Sequence, residues 1–439
     1  MRTTTRRTVT TAVLAALAVT GGWAAHARAE GGLTLEERVQ RLERQGEMPP
    51  AAAPDTSSLT KRLDDLEAAI KKPPFGLSID GMIVGSYLYD INQPHGHDDV
   101  VGLRSFDRDH NTFNLDLFQL QVSRAPGENG VGFVTKLNFG KTAERMSADW
   151  HGDGHPGMCS AGAGGDRTCD VELEEAYITY NFPGLPDLQL KGGKFVTLLG
   201  AEVIESPLNP NISRSLAFGF AIPFTHTGLL GSYTFSPQFK ATLGIVNGWD
   251  NVVDSNDGKS VTGSLAFTPV DQFSFALNGI YGAEQPSRGD SKRGVVDAVA
   301  TIKPIDNLML SLNYDCGNET QLGAPGLDGV FTKGNNTAEW NAFSGIIGYD
   351  LPDLLAVPIG FALRGEYFDD SDSTRLAGTF GHDQQDWEVT TTFKVVLADG
   401  LMARAEYRYD KAVQPVFLRN VGGVQRDQQT VAAELSYVF

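Results

Sequence analysis

Leu401-Met402-Ala403-Arg404-Ala405-Glu406-Tyr407-Arg408-Tyr409-Asp410 carries two opposed characters along one run. Leu401, Ala403, Ala405, Tyr407 and Tyr409 fall on one side; Met402, Arg404, Glu406, Arg408 and Asp410 fall on the other. An extended strand points successive side chains to opposite faces, so the run presents an apolar face and a densely charged one. A soluble, half-buried strand has no use for so many charges on its second face, whereas a strand standing between lipid and water does.

The same period of two recurs upstream. Phe273, Phe275, Leu277 and Tyr281 oppose Ser274, Ala276 and Asn278, and Leu308, Leu310, Leu312 and Tyr314 oppose Asn307, Ser311, Asn313 and Asp315. Val131, Phe133, Leu137 and Phe139 oppose Lys136 and Asn138, while Phe361, Leu363 and Tyr367 oppose Arg364 and Glu366. The segments number about sixteen, starting near Gly76, Thr112, Gly130, Val171, Pro186, Pro223, Gln238, Lys259, Gln272, Lys292, Asp306, Asn335, Val357, Gln385, Gly400 and Arg426, and an even count is expected of a bacterial barrel. In the second strand the apolar set changes phase between Leu117 and Phe118, which predicts a bulge or a different register.

Beyond the first residues, no segment has the roughly 18 apolar residues that a membrane-crossing helix needs, so a membrane span must be a closed barrel. Short connections such as Ser236-Pro237, Pro304-Ile305 and Ala398-Asp399 alternate with long Gly- and Asp-rich ones, and this alternation predicts periplasmic turns and external loops. Arg2, Arg6 and Arg7, the apolar stretch Ala12 to Val19 and Ala27-Arg28-Ala29 together read as an export signal over residues 1–29. That segment carries four arginines and no acid, so the formal charge of −18 becomes −22 without it, a surface that argues against nucleic acid as a partner.

Residues 30–74 have a different period. Leu35, Val39 and Leu42, then Leu59, Leu63, Leu66 and Ile70, recur every three or four positions on either side of the breaker run at 48–58. Two readings stand: a periplasmic α-helical coiled coil that needs partner helices, or a leader that is helical only transiently. The barrel is then expected over 75–439, and the fold class is all-β, a transmembrane antiparallel barrel behind a short helical segment.

Alternation places Lys136, Lys191, Arg364, Glu366, Glu388, Lys394, Arg404, Glu406 and Arg408 on the inner face, where they are candidates for pore lining. About sixteen strands leave an aqueous channel, and acids modestly outnumber bases inside, so weak cation preference is expected. By analogy with general porins, which fold a loop inward after the fifth strand, Glu202, Glu205 and Arg214 are candidates for a constriction. Asp250, Asp254, Asn256 and Asp257 are oxygen ligands but lack the calcium-loop spacing, and His95, His97, Asp98 and Asp99 form a short polar tract. Cys159 and Cys169 flank a Gly-rich stretch and are candidates for a disulfide, with Cys316 left over. No serine lies in a nucleophile-elbow motif, so neither an enzyme nor a cofactor is expected.

Val431, Ala433, Leu435, Tyr437 and Phe439 share one face of the final strand, which resembles the C-terminal signal read by the barrel-assembly machinery. Gly192-Gly193-Lys194-Phe195, Gly200-Ala201-Glu202, Asn209-Pro210-Asn211-Ile212-Ser213-Arg214-Ser215, His226-Thr227-Gly228 and Val246-Asn247-Gly248-Trp249-Asp250, extended by Asp254 to Ser260, resemble the OmpL-like family of β-barrel porins. The resemblance implies an outer-membrane barrel with pore activity for small hydrophilic solutes and ions, and brings neither a substrate nor catalytic residues. Outer-membrane lipid and a homotrimer are the expected partners. The alternative is a barrel that mainly anchors the coiled coil to cell wall or to a partner protein.

Overall fold

In the computed structural model the chain closes into one antiparallel barrel of sixteen strands. The described residues are 76–439 except 95–100, 128–129, 149–159, 162–166, 169–170, 286–287, 321–336, 352–356, 377–383 and 421–422. The expected export signal and helical seam, the His95 tract and the Cys159–Cys169 pair lie outside the described residues.

The strands are β1 (Ser78–Asp90), β2 (Thr112–Arg124), β3 (Val131–Phe139), β4 (Val171–Phe182), β5 (Leu185–Val196), β6 (Thr225–Ser236), β7 (Phe239–Val246) and β8 (Ser260–Val270). They continue as β9 (Phe273–Gln285), β10 (Arg288–Ile305), β11 (Leu308–Thr320), β12 (Thr337–Leu351), β13 (Ile359–Asp370), β14 (Gln384–Ala398), β15 (Leu401–Ala412) and β16 (Asp427–Val438). Each pairs with its neighbours in sequence, and β1 closes on β16 with Ile83 opposite Tyr437, so the barrel sheet itself has no unpaired edge. Every expected strand start falls within a few residues of an observed one, because alternation is the physical condition for a wall with lipid on one side.

The outer face carries exposed Leu, Val, Ile and aromatic side chains. Phe361–Phe393, Tyr233–Phe235 and Tyr437–Phe439 pair near the end with short turns, and Tyr367–Trp387 and Tyr87–Phe113 pair near the end with long loops. Two aromatic belts at these levels mark the two interfaces of a bilayer. Among the described residues no helix is long and apolar enough to cross a membrane.

Two bulges reset the phase. Val84 pairs with Leu117 and Gly85 with Leu115, which leaves Asp116 as the extra residue. The phase change expected at Leu117–Phe118 is therefore a bulge centred one residue earlier, and it turns Leu117 inward beside Met82 and Val84. Lys136 pairs with Glu175 and Leu137 with Leu173, so Glu174 is extra and two consecutive glutamates are buried at the lumen wall.

Candidate functional site

The segment 197–224, between β5 and β6, enters the lumen as the analogy with general porins expected. It leaves the wall at Gly200, whose φ of +93° and whose missing Cβ, which would meet Ile222 Cδ1 at 2.5 Å, leave glycine as the residue that fits. Asp250 ties its far end by accepting the backbone N–H groups of Phe224 and Thr225 at 2.7 and 2.9 Å. Between these points it forms a short 3₁₀ turn, Ser206–Leu208, and a π-helical turn, Ala217–Ala221.

Its apolar residues build a core inside the barrel. Leu199, Ile204, Leu216, Phe218, Ile222 and Phe224 pack with Phe106, Trp249, Trp340 and Phe368 from other loops and from the wall. Room for Trp340 comes from Gly317, where a Cβ would lie 2.1 Å from the indole ring.

The wall grips the loop mainly by its backbone. Glu406 accepts the N–H groups of Ile212 and Ser213 at 2.6 and 3.0 Å, and Glu366 accepts those of Leu216 and Ala217 at 2.6 and 3.1 Å. Arg364 donates to Ser213 O at 2.6 Å, Arg404 to Asn209 O at 2.8 Å and Arg408 to Arg214 O at 2.6 Å. Farther along the wall, on β10 and β11, Asp297 accepts Gly200 N–H and Asn313 accepts Ala201 N–H, both at 3.1 Å. A backbone held away from water must find partners, and wall charges supply them in strong, charge-assisted form.

Each wall arginine is also neutralised. Arg364 lies between Glu388 at 3.0 Å and Glu202 at 2.9 Å, Arg404 pairs with Glu434 at 2.6 Å and Arg408 with Asp410 at 2.8 Å. Lys136 is ringed by Glu174, Glu175 and Glu205 at 3.1, 3.2 and 2.7 Å. Burial pushes the Glu205 carboxyl up, but Lys136 more than offsets this and holds it below the usual carboxylate range. Arg214 folds back onto Ile212 O at 2.9 Å and onto Ile204 O, and lies over the Phe106 ring at 4.7 Å; burial pushes its guanidinium down.

All nine residues expected to line the pore belong to inward-facing strand positions, yet Lys136, Arg364, Glu366, Glu388, Arg404, Glu406 and Arg408 are buried. They form the seat of the loop rather than a ladder open to water. The reason is that a loop backbone inside a barrel competes with water for the same polar groups. Lys191 and Lys394 keep partial exposure: Lys191 lies 4.3 Å over the Tyr177 ring and Lys394 pairs with Asp350 at 2.6 Å. Glu202, Glu205 and Arg214 all lie on the inserted loop and are buried in its moorings.

Other residues of the assembly escaped notice in the sequence. Arg104 enters from the loop after β1 and pairs with Asp410 at 2.8 Å, and Gln428 exchanges hydrogen bonds with the backbone of Gly102. Arg375, from the loop after β13, donates to Phe220 O at 2.6 Å and stacks over Trp249 at 4.8 Å and Trp340 at 5.5 Å. Burial, reinforced by Arg293, pushes its guanidinium down. Charged residues in long loops have no periodicity to mark them, so nothing in the sequence distinguished these from solvated loop charges.

The oxygen cluster at 250–257 does not converge. Asp250 caps backbone, Asp254 pairs with Lys259 and accepts Asn256 N–H, and Asn256 bridges to Ala283 O and Gln285 O. Among the described residues no group of histidine, cysteine, aspartate and glutamate is arranged to hold a metal.

A closed sixteen-strand barrel with aromatic belts and a loop folded into its lumen defines a bacterial outer-membrane channel of the porin type. The chain belongs to the family described as Putative beta-barrel porin-2, OmpL-like, whose model matches residues 76–439. Solved structures of the same fold include an anion-selective porin from Comamonas acidovorans, 12% identical over 83% of this chain and 99% of that chain with a TM-score of 0.51. OmpT of Vibrio cholerae in a trimer form is also 12% identical, over 83% and 99%, with a TM-score of 0.51. OprB of Pseudomonas putida is 14% identical, over 86% and 97%, with a TM-score of 0.50. Identities this low show a shared fold alone. No curated protein matches the chain.

Proposed function

We propose that this barrel is a narrow, passive diffusion channel for small hydrophilic solutes and ions, with weak cation preference, working as a homotrimer. The observation that carries the reading is the loop at 197–224, moored by its backbone to inward residues of β10, β11, β13 and β15. A loop so fastened is a fixed sieve: it narrows the path without needing to move. With the wall arginines neutralised, the surplus of inward acids over inward bases supports a field that favours cations. Glu202, Glu205 and Arg214 set the constriction indirectly in this reading, by fixing the loop's shape. The anchoring alternative rests on residues 30–74 and draws no support from the described ones.

Planar-bilayer conductance of the purified protein, with the reversal potential taken across a KCl gradient, tests the reading. Small stepwise openings with a reversal potential of cation-selective sign are expected. A folded barrel that leaves the bilayer sealed would overturn it.

A further inference from the structure

Beneath the inserted loop, on the side of the short turns, lies a cavity of about 460 Å³. That volume falls within the ~300 to 1,000 Å³ of small-molecule sites. The underside of the loop faces it through Val203, Pro207 and Leu208, and Val203 and Leu208 are left 42% and 60% exposed. Met309, Ile346 and Met402 meet them from inward positions of β11, β12 and β15. A wet lumen gains nothing from open apolar side chains, whereas an apolar patch rimmed by polar groups is the usual form of a binding surface.

The rim of this chamber carries both signs of charge. Lys394 pairs with Asp350 at 2.6 Å, and the pair lies across Gly360, where a Cβ would meet Asp350 Oδ1 at 2.4 Å and Lys394 Cε at 2.6 Å. Lys303 and Asp306 stand exposed at the turn between β10 and β11 and form no ion pair among the described residues. Asp271 and Asp399 lie on neighbouring short turns, outside the lining. Two lysines and two aspartates leave the lining without net charge, so neither a simple anion nor a simple cation is matched by it.

We propose that the short-turn chamber is a binding subsite for small zwitterions with an apolar body, namely α-amino acids with apolar side chains. This deepens the channel reading above and rests on it. The apolar body lies between the loop underside and the two methionines, where it takes apolar surface out of water. The charged head stays at the rim, its carboxylate toward Lys303 and its ammonium toward Asp306. Each half of the chamber supplies what the other lacks: the floor does not distinguish one charge from another, and the rim does not distinguish one side chain from another.

Block of the single-channel current in KCl by four added solutes tests it. Leucine carries both charges and the body, glycine lacks the body, isocaproate lacks the ammonium and isoamylamine lacks the carboxylate. Leucine should halve the current at a concentration about tenfold below that of each of the other three. Leu208→Ser should raise the half-blocking concentration of leucine about fivefold and leave that of glycine in place. Lys303→Gln should raise that of leucine about threefold, because exposed charge pairs are worth little, and leave that of isoamylamine in place. Both side chains are exposed and stand outside the hydrogen bonds that moor the loop. Leucine no more potent than the other three, or a half-blocking concentration unmoved in both variants, would overturn the inference while the current in KCl alone leaves the channel reading intact. Absence of any channel overturns both.

Discussion

Arg364 is the residue on which the inserted loop most depends. Wholly buried, it satisfies Glu388 on its own wall, Glu202 on the loop and the Ser213 carbonyl at once. Replacing it by methionine strands two buried carboxylates, and losing one partner of a buried pair costs about 3 to 5 kcal/mol. Arg364→Met should therefore lower the denaturant midpoint of the refolded barrel by an amount of that order. Arg364→Met combined with Glu202→Gln should recover part of the loss, and the recovered part measures the coupling between wall and loop. An unchanged midpoint in Arg364→Met would show that the arginine carries no net stability.

At the scale of elements, the strands and the loops differ in how they speak through sequence. Strand positions were legible because lipid and lumen impose alternation residue by residue, as in Leu401 to Asp410. The bulges at Asp116 and Glu174 broke that alternation, so the phase of β2 was misplaced by a residue and the second glutamate facing Lys136 went unseen. The docking of the loop at 197–224 was less legible still, because Glu366 and Glu406 read amide groups that every residue but proline possesses. The latch formed by Arg375 follows the same logic from a third element. It fastens the loop after β13 to Phe220 between two tryptophans. Arg375→Ala should raise acrylamide quenching of tryptophan emission and add rapid flicker to the open-channel current, while the conductance of the open level stays close to wild type. Quiet openings and unchanged quenching would show that the latch holds nothing.

For the whole molecule, lipid and lumen impose opposite tolerances on neighbouring residues. Leu363 faces outward between Ile347 and Thr391, next in sequence to buried Arg364. An arginine facing lipid near the midplane costs roughly 2 to 4 kcal/mol, so Leu363→Arg should destabilise the barrel in vesicles by about that much. Its conductance should be preserved, because the change lies outside the lumen; a lost or altered conductance would mean that the wall transmits strain inward. The closed ladder makes this separation possible, since hydrogen bonds between strands hold the cylinder whatever either face carries. The backbone grip on the inserted loop extends the same freedom to its interior. Val203 and Leu208 point from the loop toward the chamber below while the moorings run through Asn209, Ile212 and Ser213 amides and carbonyls. The loop's exposed side chains can therefore be exchanged one at a time while its frame stays bolted in place.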